Sequence, residues 1–258
     1  AARTILRLGA AQLLFMNVSA YAAVDTSVGL AQTRRQGAYK KLINAILRRL
    51  GREGAEMILA QDEHRWNTPN WLWDVWSKAY GEDLTRRITN AHLSQPPLDI
   101  TVKSNPEAEA AKLGGMLLPT GSIRLKDNPG VESLPGYNQG DWWVQDTAAT
   151  LPVKLFPHLE GQRIADLCAA PGGKTAQMAA AGAHVTAIDR SEKRLRLLQE
   201  NMGRLSLDVS CILEDAVGWR PRDSCDGVLI DAPCSATGTI RRHPDLPFAK
   251  DGTGISEL

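Results

Sequence analysis

Three carboxylates and two thiols stand where they could do chemistry. Residues 164–175 read IADLCAAPGGKT. A short apolar run with Ile164 and Leu167 passes through Asp166 and Cys168 into a Pro171-Gly172-Gly173-Lys174 turn, and a helical pattern follows. The paired glycines let backbone approach a ligand, and the free amides of a helix start favour its negative or polar groups. Glycine pairs also occur at ordinary strand-to-helix turns. The spacing is not G-x-G-x-x-G, which argues against a dinucleotide. Asp189 closes the next apolar run (HVTAI) about 20 residues after the loop, where a carboxylate suits two ribose hydroxyls. Ser191 and Glu192 follow it, so helix capping is a rival role. Asp215 follows a third run and could accept from an adenine amino group. Asp231 opens Asp231-Ala232-Pro233-Cys234 at the end of a fourth. One acid at a strand end reads as a cap; these groups in register resist that reading.

The elements that must position them alternate. Strands are predicted over 163–168, 184–188, 208–213 and 226–230, with helices over 173–182 and 191–204; Leu195, Leu198, Met202 and Leu205 stripe the second helix. This rhythm predicts an open parallel α/β sheet with ligands at the carboxyl ends of its strands. Ahead of it, GDWWVQDTAA predicts a strand at 142–144 and a helix over 148–156 capped near Asp146, packed beside the sheet and closing the route to the site. Residues 96–140 read as a small α+β insert: strand 98–103, helix 107–113, strand 122–125 and a Gly/Pro/Asn-rich loop over 129–141. Residues 61–95 read as a linker and a helical pair, with Pro69 at a helix start. Trp71, Trp73, Trp76 and Tyr80 there have helical spacing, which suits a core more than a base-stacking platform.

Residues 1–60 predict three amphipathic helices, over 3–16, 21–33 and 38–52. Ile5, Leu8, Leu13 and Phe15 mark the first apolar face; Leu42, Ile43, Ile46, Leu47 and Leu50 mark the third. The segment holds nine Lys or Arg against three acids, while the whole 258-residue chain carries a net charge of only +1. Arg34, Arg35, Lys40, Lys41, Arg48 and Arg49 could meet phosphates, or simply solvate helix faces. Apolar residues make up 43% and charged residues 23%, which excludes a disordered chain. No uncharged run approaches the ~20 residues that span a bilayer. The four cysteines have no metal-site spacing, so no metal is expected; free thiols and a reducing cytoplasm fit them. Cys211 and Cys225, on or beside strands, are expected to pack as small apolar residues.

DLCAAPGGKT, AIDRSEKRL and DGVLIDAPCSATGTIRRHPD together resemble the RNA (cytosine-5-)-methyltransferases that use S-adenosylmethionine. LRLGAAQLLF, AYAAVDTSVGLA and LINAILRRL resemble the C-terminal half of a NusB-like RNA-binding domain, which points to the bacterial RsmB (Sun, Fmu) type acting on 16S ribosomal RNA. The resemblance implies a Rossmann-like class I methyltransferase sheet, incomplete at about four strands, preceded by an all-α NusB-like domain and the α+β insert. It divides the chain at 1–60, 61–140 and 141–258. It implies that Cys168, Ala169, Ala170, Pro171, Gly172, Gly173 and Lys174 wrap the cofactor, with Asp189 on its ribose, Arg194 beside it and Asp215 by the adenine. Asp231 would lie near the methionine end and the target base, Cys234 would face the cytosine, and Arg241, Arg242 and His243 would lie on a loop beside the RNA. A cytoplasmic monomer is expected.

The chain departs from that family in one respect that bears on catalysis. The family's attacking cysteine belongs to a Thr-Cys pair after the fifth strand, and these 258 residues contain no such pair. The segment after Asp245 also leaves the family pattern, with no apolar helix or strand expected. A chain truncated at both ends is expected, with strand four left as an exposed apolar edge. Cys234 is then a helper thiol that assists product release, or itself the nucleophile, as its counterpart is in DNA cytosine-5 methyltransferases. A non-catalytic RNA-binding module with a degenerate sheet is the second reading. An enzyme of another nucleotide is the third, disfavoured because the Asp231–Cys234 motif has no role in hydride transfer.

Overall fold

The structure, a computed structural model, describes residues 1–126, 130–250 and 252–253. The chain forms two units, Ala1–Ala91 and His92–Leu258.

The first unit is helical: α1 (Ala2–Phe15), α2 (Ala20–Thr33), α3 (Lys40–Leu59), the short α4 (Glu63–Trp66), α5 (Asn70–Tyr80) and most of α6 (Glu82–Leu93). Ile5, Val24, Ala31, Ile43 and Leu47 form the core between the first three helices. α1 closes on its neighbours at Gly9, where a Cβ would stand 2.6 Å from Leu47 Cδ1 and 2.7 Å from Ser27 Oγ. The predicted apolar faces are only partly buried: Leu8, Phe15 and Leu42 are exposed. α3 also runs well past residue 52, to Leu59, passing through a buried Gly54 that packs against Leu14. Trp73 is buried, with Arg65 and Arg86 guanidinium carbons 5.2 and 5.4 Å from its ring, so it is a core residue as its spacing predicts; Tyr80 is exposed.

The second unit holds two four-stranded sheets. The first contains β1 (Leu98–Val102), β2 (Met116–Leu117), β3 (Ile123–Leu125) and β4 (Trp142–Val144), in antiparallel order β2-β3-β1-β4. α7 (Pro106–Leu113) covers one face through Ala110, against Ile100, Ile123, Leu125 and Trp142. β2 is absent from the sequence reading because two residues carry no alternation. Pro129, where the loop is expected to begin, lies outside the described residues; from Gly130 onward that segment is irregular apart from a 3-10 turn at Val131–Ser133.

On β1, Asp99 is a buried carboxylate paired across the strands with Arg124, which donates twice at 2.7 and 2.9 Å. Burial pushes this carboxyl up, but the Arg124 bonds and the Thr147 N–H outweigh it and hold it below the usual carboxylate range. A carboxyl depressed in the fold stabilises above its unfolded value, near 4, and loses that contribution as pH falls further. Asp99→Ala leaves Arg124 and the Thr147 amide without their acceptor and is expected to cost about 2–3 kcal/mol at pH 7. Equilibrium unfolding checks this, and the deficit should shrink in acid.

The second sheet is parallel, in the order β7-β6-β5-β8: β5 (Arg163–Leu167), β6 (His184–Asp189), β7 (Val209–Leu213) and β8 (Gly227–Ile230). α8 (Thr147–Lys154) precedes it, α9 (Gly173–Ala180) links β5 to β6, and α10 (Glu192–Leu205) links β6 to β7. The alternation, the α10 stripe and the Asp146 cap of α8 agree with the sequence reading, with ends moved by one or two residues. β8 lies at the sheet edge with Val228 and Ile230 exposed, as expected of it. A four-residue helix, α11 (Leu246–Ala249), stands in the segment expected to lack one; the end of that segment lies outside the described residues.

The two sheets share a core. Trp143 of β4 is buried with Ala187 of β6 and Leu198 and Met202 of α10. Lys103 donates to the Leu205 carbonyl at 2.7 Å, placing a cation at the α10 C-terminus, and Arg204 donates to Tyr137 O and Trp142 O. The 142–144 strand therefore belongs to the antiparallel sheet while its side chain helps to build the parallel one.

Candidate functional site

The strand β5 ends at Leu167, and Cys168 turns out of it with φ +61°. The loop is then held from several sides. Ala169 N–H donates to Ile188 O at 3.0 Å, Gly172 N–H to Ala169 O at 3.0 Å, and the Ala170–Pro171 peptide is cis. Gly172 has φ +102° and caps α9; a Cβ there would meet Leu198 Cγ at 2.8 Å. Gly173 differs: a Cβ there would meet nothing nearer than Gln145 Cγ at 3.7 Å. The loop thus presses on α10 at Gly172 and leaves room at Gly173. The first amides of α9 have neither intrahelical acceptors nor a side-chain cap.

Asp189, at the end of β6, is buried. Its Oδ2 accepts from Ala170 N–H at 3.1 Å and its Oδ1 from Ser191 N–H at 2.9 Å. Ser191 itself caps α10, so the capping role predicted as a rival for Asp189 falls to its neighbour. Arg194 donates to Ala170 O and approaches Asp189 Oδ2 at 3.7 Å. Both residues brace the loop. Asp215 is exposed, and its Oδ1 accepts from Val217 N–H at 2.9 Å; Glu214 N–H reaches Asp189 O at 3.3 Å, which sets this turn beside β6.

The loop and the β8 end meet through one bond. Lys174 Nζ donates to Asp231 Oδ2 at 2.6 Å, the lysine largely buried and the aspartate open. Cys234 is exposed three residues further on, its Sγ accepting from Ala236 N–H at 3.3 Å. Cys168 is half-buried; burial and then Asp189 push its thiol up, with Arg194 and Arg190 opposing. A raised thiol is a poor nucleophile near neutrality. Cys211 and Cys225 are half-buried, and Cys211 packs against the core cluster as its position predicts.

Arg241 and Arg242, expected on a loop beside the RNA, are hydrogen-bonded to this chain. Arg241 donates to Ser94 O at 3.3 Å and Gln95 O at 2.9 Å, and Arg242 binds the Asp146 carboxylate. Both guanidiniums are engaged with the protein itself, because the chain after Cys234 folds back onto the start of α8.

Sequence reading passes over Asp166. It is buried in β5, Oδ2 accepts from Thr175 Oγ1 at 2.6 Å, and Oδ1 has no hydrogen-bond partner. Burial pushes this carboxyl up to about 6, with Thr175 and Lys174 opposing. The signal available was an acid in the middle of a parallel strand, between the apolar Ala165 and Leu167, where burial is costly for charge.

Comparison with known proteins places this arrangement. Residues 153–258 match the family described as 16S rRNA methyltransferase RsmB/F, and residues 1–52 match the NusB family. The chain is 35% identical to ribosomal RNA small subunit methyltransferase B of Pseudomonas putida, over 99% of this chain and 63% of that protein. The chain is thus similar to the RsmB/F methyltransferases over residues 153–258 and to the NusB family over residues 1–52. The corresponding Vibrio cholerae protein is also 35% identical, over 98% of this chain and 62% of its own length. The chain thus spans a little under two thirds of these curated relatives. Among solved structures, the crystal structure of PH0851 superposes with a TM-score of 0.79 at 22% identity, covering 99% of this chain and 63% of that one, which shows the fold. A methyltransferase homolog protein from Pyrococcus horikoshii gives a TM-score of 0.57 at 27% identity over 66% of this chain and 60% of its own. The crystal structure of NSun6 from Pyrococcus horikoshii with SFG gives a TM-score of 0.57 at 17% identity over 65% of this chain and 71% of that one. Among the described residues, no helix is long and apolar enough to cross a membrane.

Proposed function

We propose that this chain is part of a cytoplasmic, monomeric enzyme that methylates carbon 5 of a cytosine in 16S ribosomal RNA. The observation that carries the reading is the Lys174–Asp231 bond, which joins the glycine loop to the Asp231–Cys234 segment at the carboxyl ends of adjacent parallel strands. The residues fit S-adenosylmethionine on three features: uncapped amides at the start of α9, an uncrowded Gly173, and an unpartnered buried oxygen on Asp166. In this reading Cys168, Ala169, Ala170, Pro171, Gly172, Gly173 and Lys174 form the cradle, and Asp189 takes the ribose through the lone pairs its two amide bonds leave free. Arg194 braces the loop, Asp215 lies by the adenine, and Asp231 sits between donor and base. Residues 1–60 form the RNA-binding front, where all six basic residues named above are exposed; 61–140 connect it to the methyltransferase part, 141–258.

The bound cofactor supplies an electrophilic methyl group. Carbon 5 of cytosine is too weak a nucleophile to take it unaided. A cysteine thiolate adds to carbon 6, so a sulfur–carbon bond forms and the ring's π electrons move to carbon 5. After methylation a base removes the carbon 5 proton, and the returning electron pair expels the thiolate. The base must be unstacked from its RNA neighbours for this. Cys234 is assigned to the release step, with attack by the family's Thr-Cys cysteine.

Two measurements on this chain test the reading. Calorimetry should show saturable S-adenosylmethionine binding; none would sink it. RNA carrying 5-fluorocytosine blocks the final elimination, so an attacking cysteine stays attached on a denaturing gel. No shifted band is expected. A band lost in Cys234→Ala makes Cys234 the attacker and overturns the release assignment.

A further inference from the structure

The charged groups around the α8 N-terminus form a chain that ends at Arg242, eight residues after Cys234. Arg124 binds Asp99, Asp99 accepts the Thr147 N–H, Asp146 caps α8 through Ala148 N–H at 2.8 Å, and Arg242 binds Asp146. Two carboxylates, Asp99 and Asp146, thus stand between two guanidiniums. The segment that Arg242 terminates is a tight series of turns: Thr239 N–H donates to Ala236 O at 2.9 Å and Arg242 N–H to Thr239 O at 2.9 Å. Ala236 N–H in turn faces Cys234 Sγ. One residue earlier, Arg241 grips the carbonyls of Ser94 and Gln95 just past the end of α6, and Lys250 Nζ holds Ser235 O at 3.0 Å.

We propose that Arg242, assisted by Arg241, is a positioning residue that fixes the Cys234 loop against the start of α8, and that it does not contact RNA. A guanidinium whose donors face a carboxylate has fewer left for phosphate, and Arg241 spends two of its N–H groups on carbonyls. Residues 231–236 lack a helix or strand of their own, so the bonds on either side set where the thiol stands. The backbone N–H of Ala236 meets the sulfur at 3.3 Å, so the turn that Arg242 ends also fixes where the sulfur points. This inference rests on the assignment of Cys234 to the site.

The test uses the whole chain with Arg242→Gln and Arg242→Lys. Asp146→Ser breaks the same ion pair from the other side while retaining a good helix cap. Hydrogen exchange of peptides within 231–243 should quicken about five-fold in Arg242→Gln and Asp146→Ser, with β5 and β6 unchanged. The rate at which iodoacetamide alkylates the exposed Cys234 should change about three-fold, because the turn that holds the sulfur loosens. Arg242→Lys should recover most of both. Filter binding to 16S ribosomal RNA should keep its salt slope in Arg242→Gln. Unchanged exchange and alkylation overturn the proposal. So does a slope reduced by about one, which marks a phosphate contact. Absence of S-adenosylmethionine binding would sink the proposed function while leaving these readouts to decide the role of Arg242.

Discussion

Gly172→Ala is expected to destabilise the second unit by about 3 kcal/mol or more, while Gly173→Ala, one residue later, leaves stability unchanged or slightly raised. At Gly172 two costs combine. A φ of +102° lies beyond the left-handed basin that L residues tolerate, which costs about 1–3 kcal/mol. The new methyl would also stand 2.8 Å from Leu198 Cγ and 3.3 Å from Met202 Cε, inside the core shared by the loop and α10. Overpacking of that kind costs about another 1–3 kcal/mol. Gly173 occupies the first helical turn, and a Cβ there would meet Gln145 Cγ at an ordinary contact distance of 3.7 Å, so alanine gains about 0.5–1 kcal/mol over glycine. Thermal unfolding should show the melting transition of the Gly172 variant lowered by about 10 °C. S-adenosylmethionine binding should be lost in both variants, because the Gly173 methyl fills the space left beside the helix amides. Equal destabilisation by the two substitutions would refute the division of roles, and undiminished binding in Gly173→Ala would remove that space from the cofactor site.

Asp166→Asn should make the cofactor-free chain more stable at pH 8 and at the same time weaken S-adenosylmethionine. Asp166 is buried with one oxygen unpartnered, and its carboxyl is pushed up to about 6. A carboxyl raised in the fold binds more protons folded than unfolded between about pH 4 and pH 6, so stability falls as pH rises through that window. Its contribution is fully present below the unfolded value near 4 and is lost above 6, a difference of about 3 kcal/mol. Asparagine is neutral throughout and can still accept the Thr175 hydroxyl hydrogen bond. The variant should therefore flatten the stability profile between pH 4 and 6 and gain several degrees of melting temperature at pH 8. The opposite trend from Asp99 lies lower, at and below pH 4, so the two are separable. The free oxygen of Asp166 is the acceptor that a cationic or N–H-bearing ligand group would satisfy, and a charge-assisted bond of that kind is worth about 10–100-fold in affinity. Calorimetry at pH 8 reads that loss. A variant less stable than the parent at pH 8, or one that binds S-adenosylmethionine equally well, would show that Asp166 is a structural residue whose charge is already accommodated.

Asp166 also shows where reading the sequence stopped short. The motif containing it was recognisable, yet the residue's importance comes from two facts that no spacing encodes: it is sealed from water, and only one of its oxygens finds a partner. Arg241 and Arg242 show the converse. Two adjacent arginines after a catalytic-type motif suggest a polyanion, and the fold occupies both with carbonyls and a carboxylate from segments about 95 to 150 residues earlier. Asp189 falls between: its place at a strand end was legible, while its two amide bonds depend on how the loop folds back.

Local patterns determined the parallel β/α alternation, the amphipathic helices, the glycine turn and the helix cap at Asp146, because periodicity and capping act over a few residues and survive in any context. They also carried the family motifs, whose backbone requirements are local. Tertiary structure alone decided that Trp142–Val144 joins the antiparallel sheet while Trp143 packs into the parallel one, that Lys174 meets Asp231, and which charges are spent inside the protein. Those outcomes turn on which distant groups are desolvated together, and burial is a property of the assembled unit rather than of any stretch of its chain.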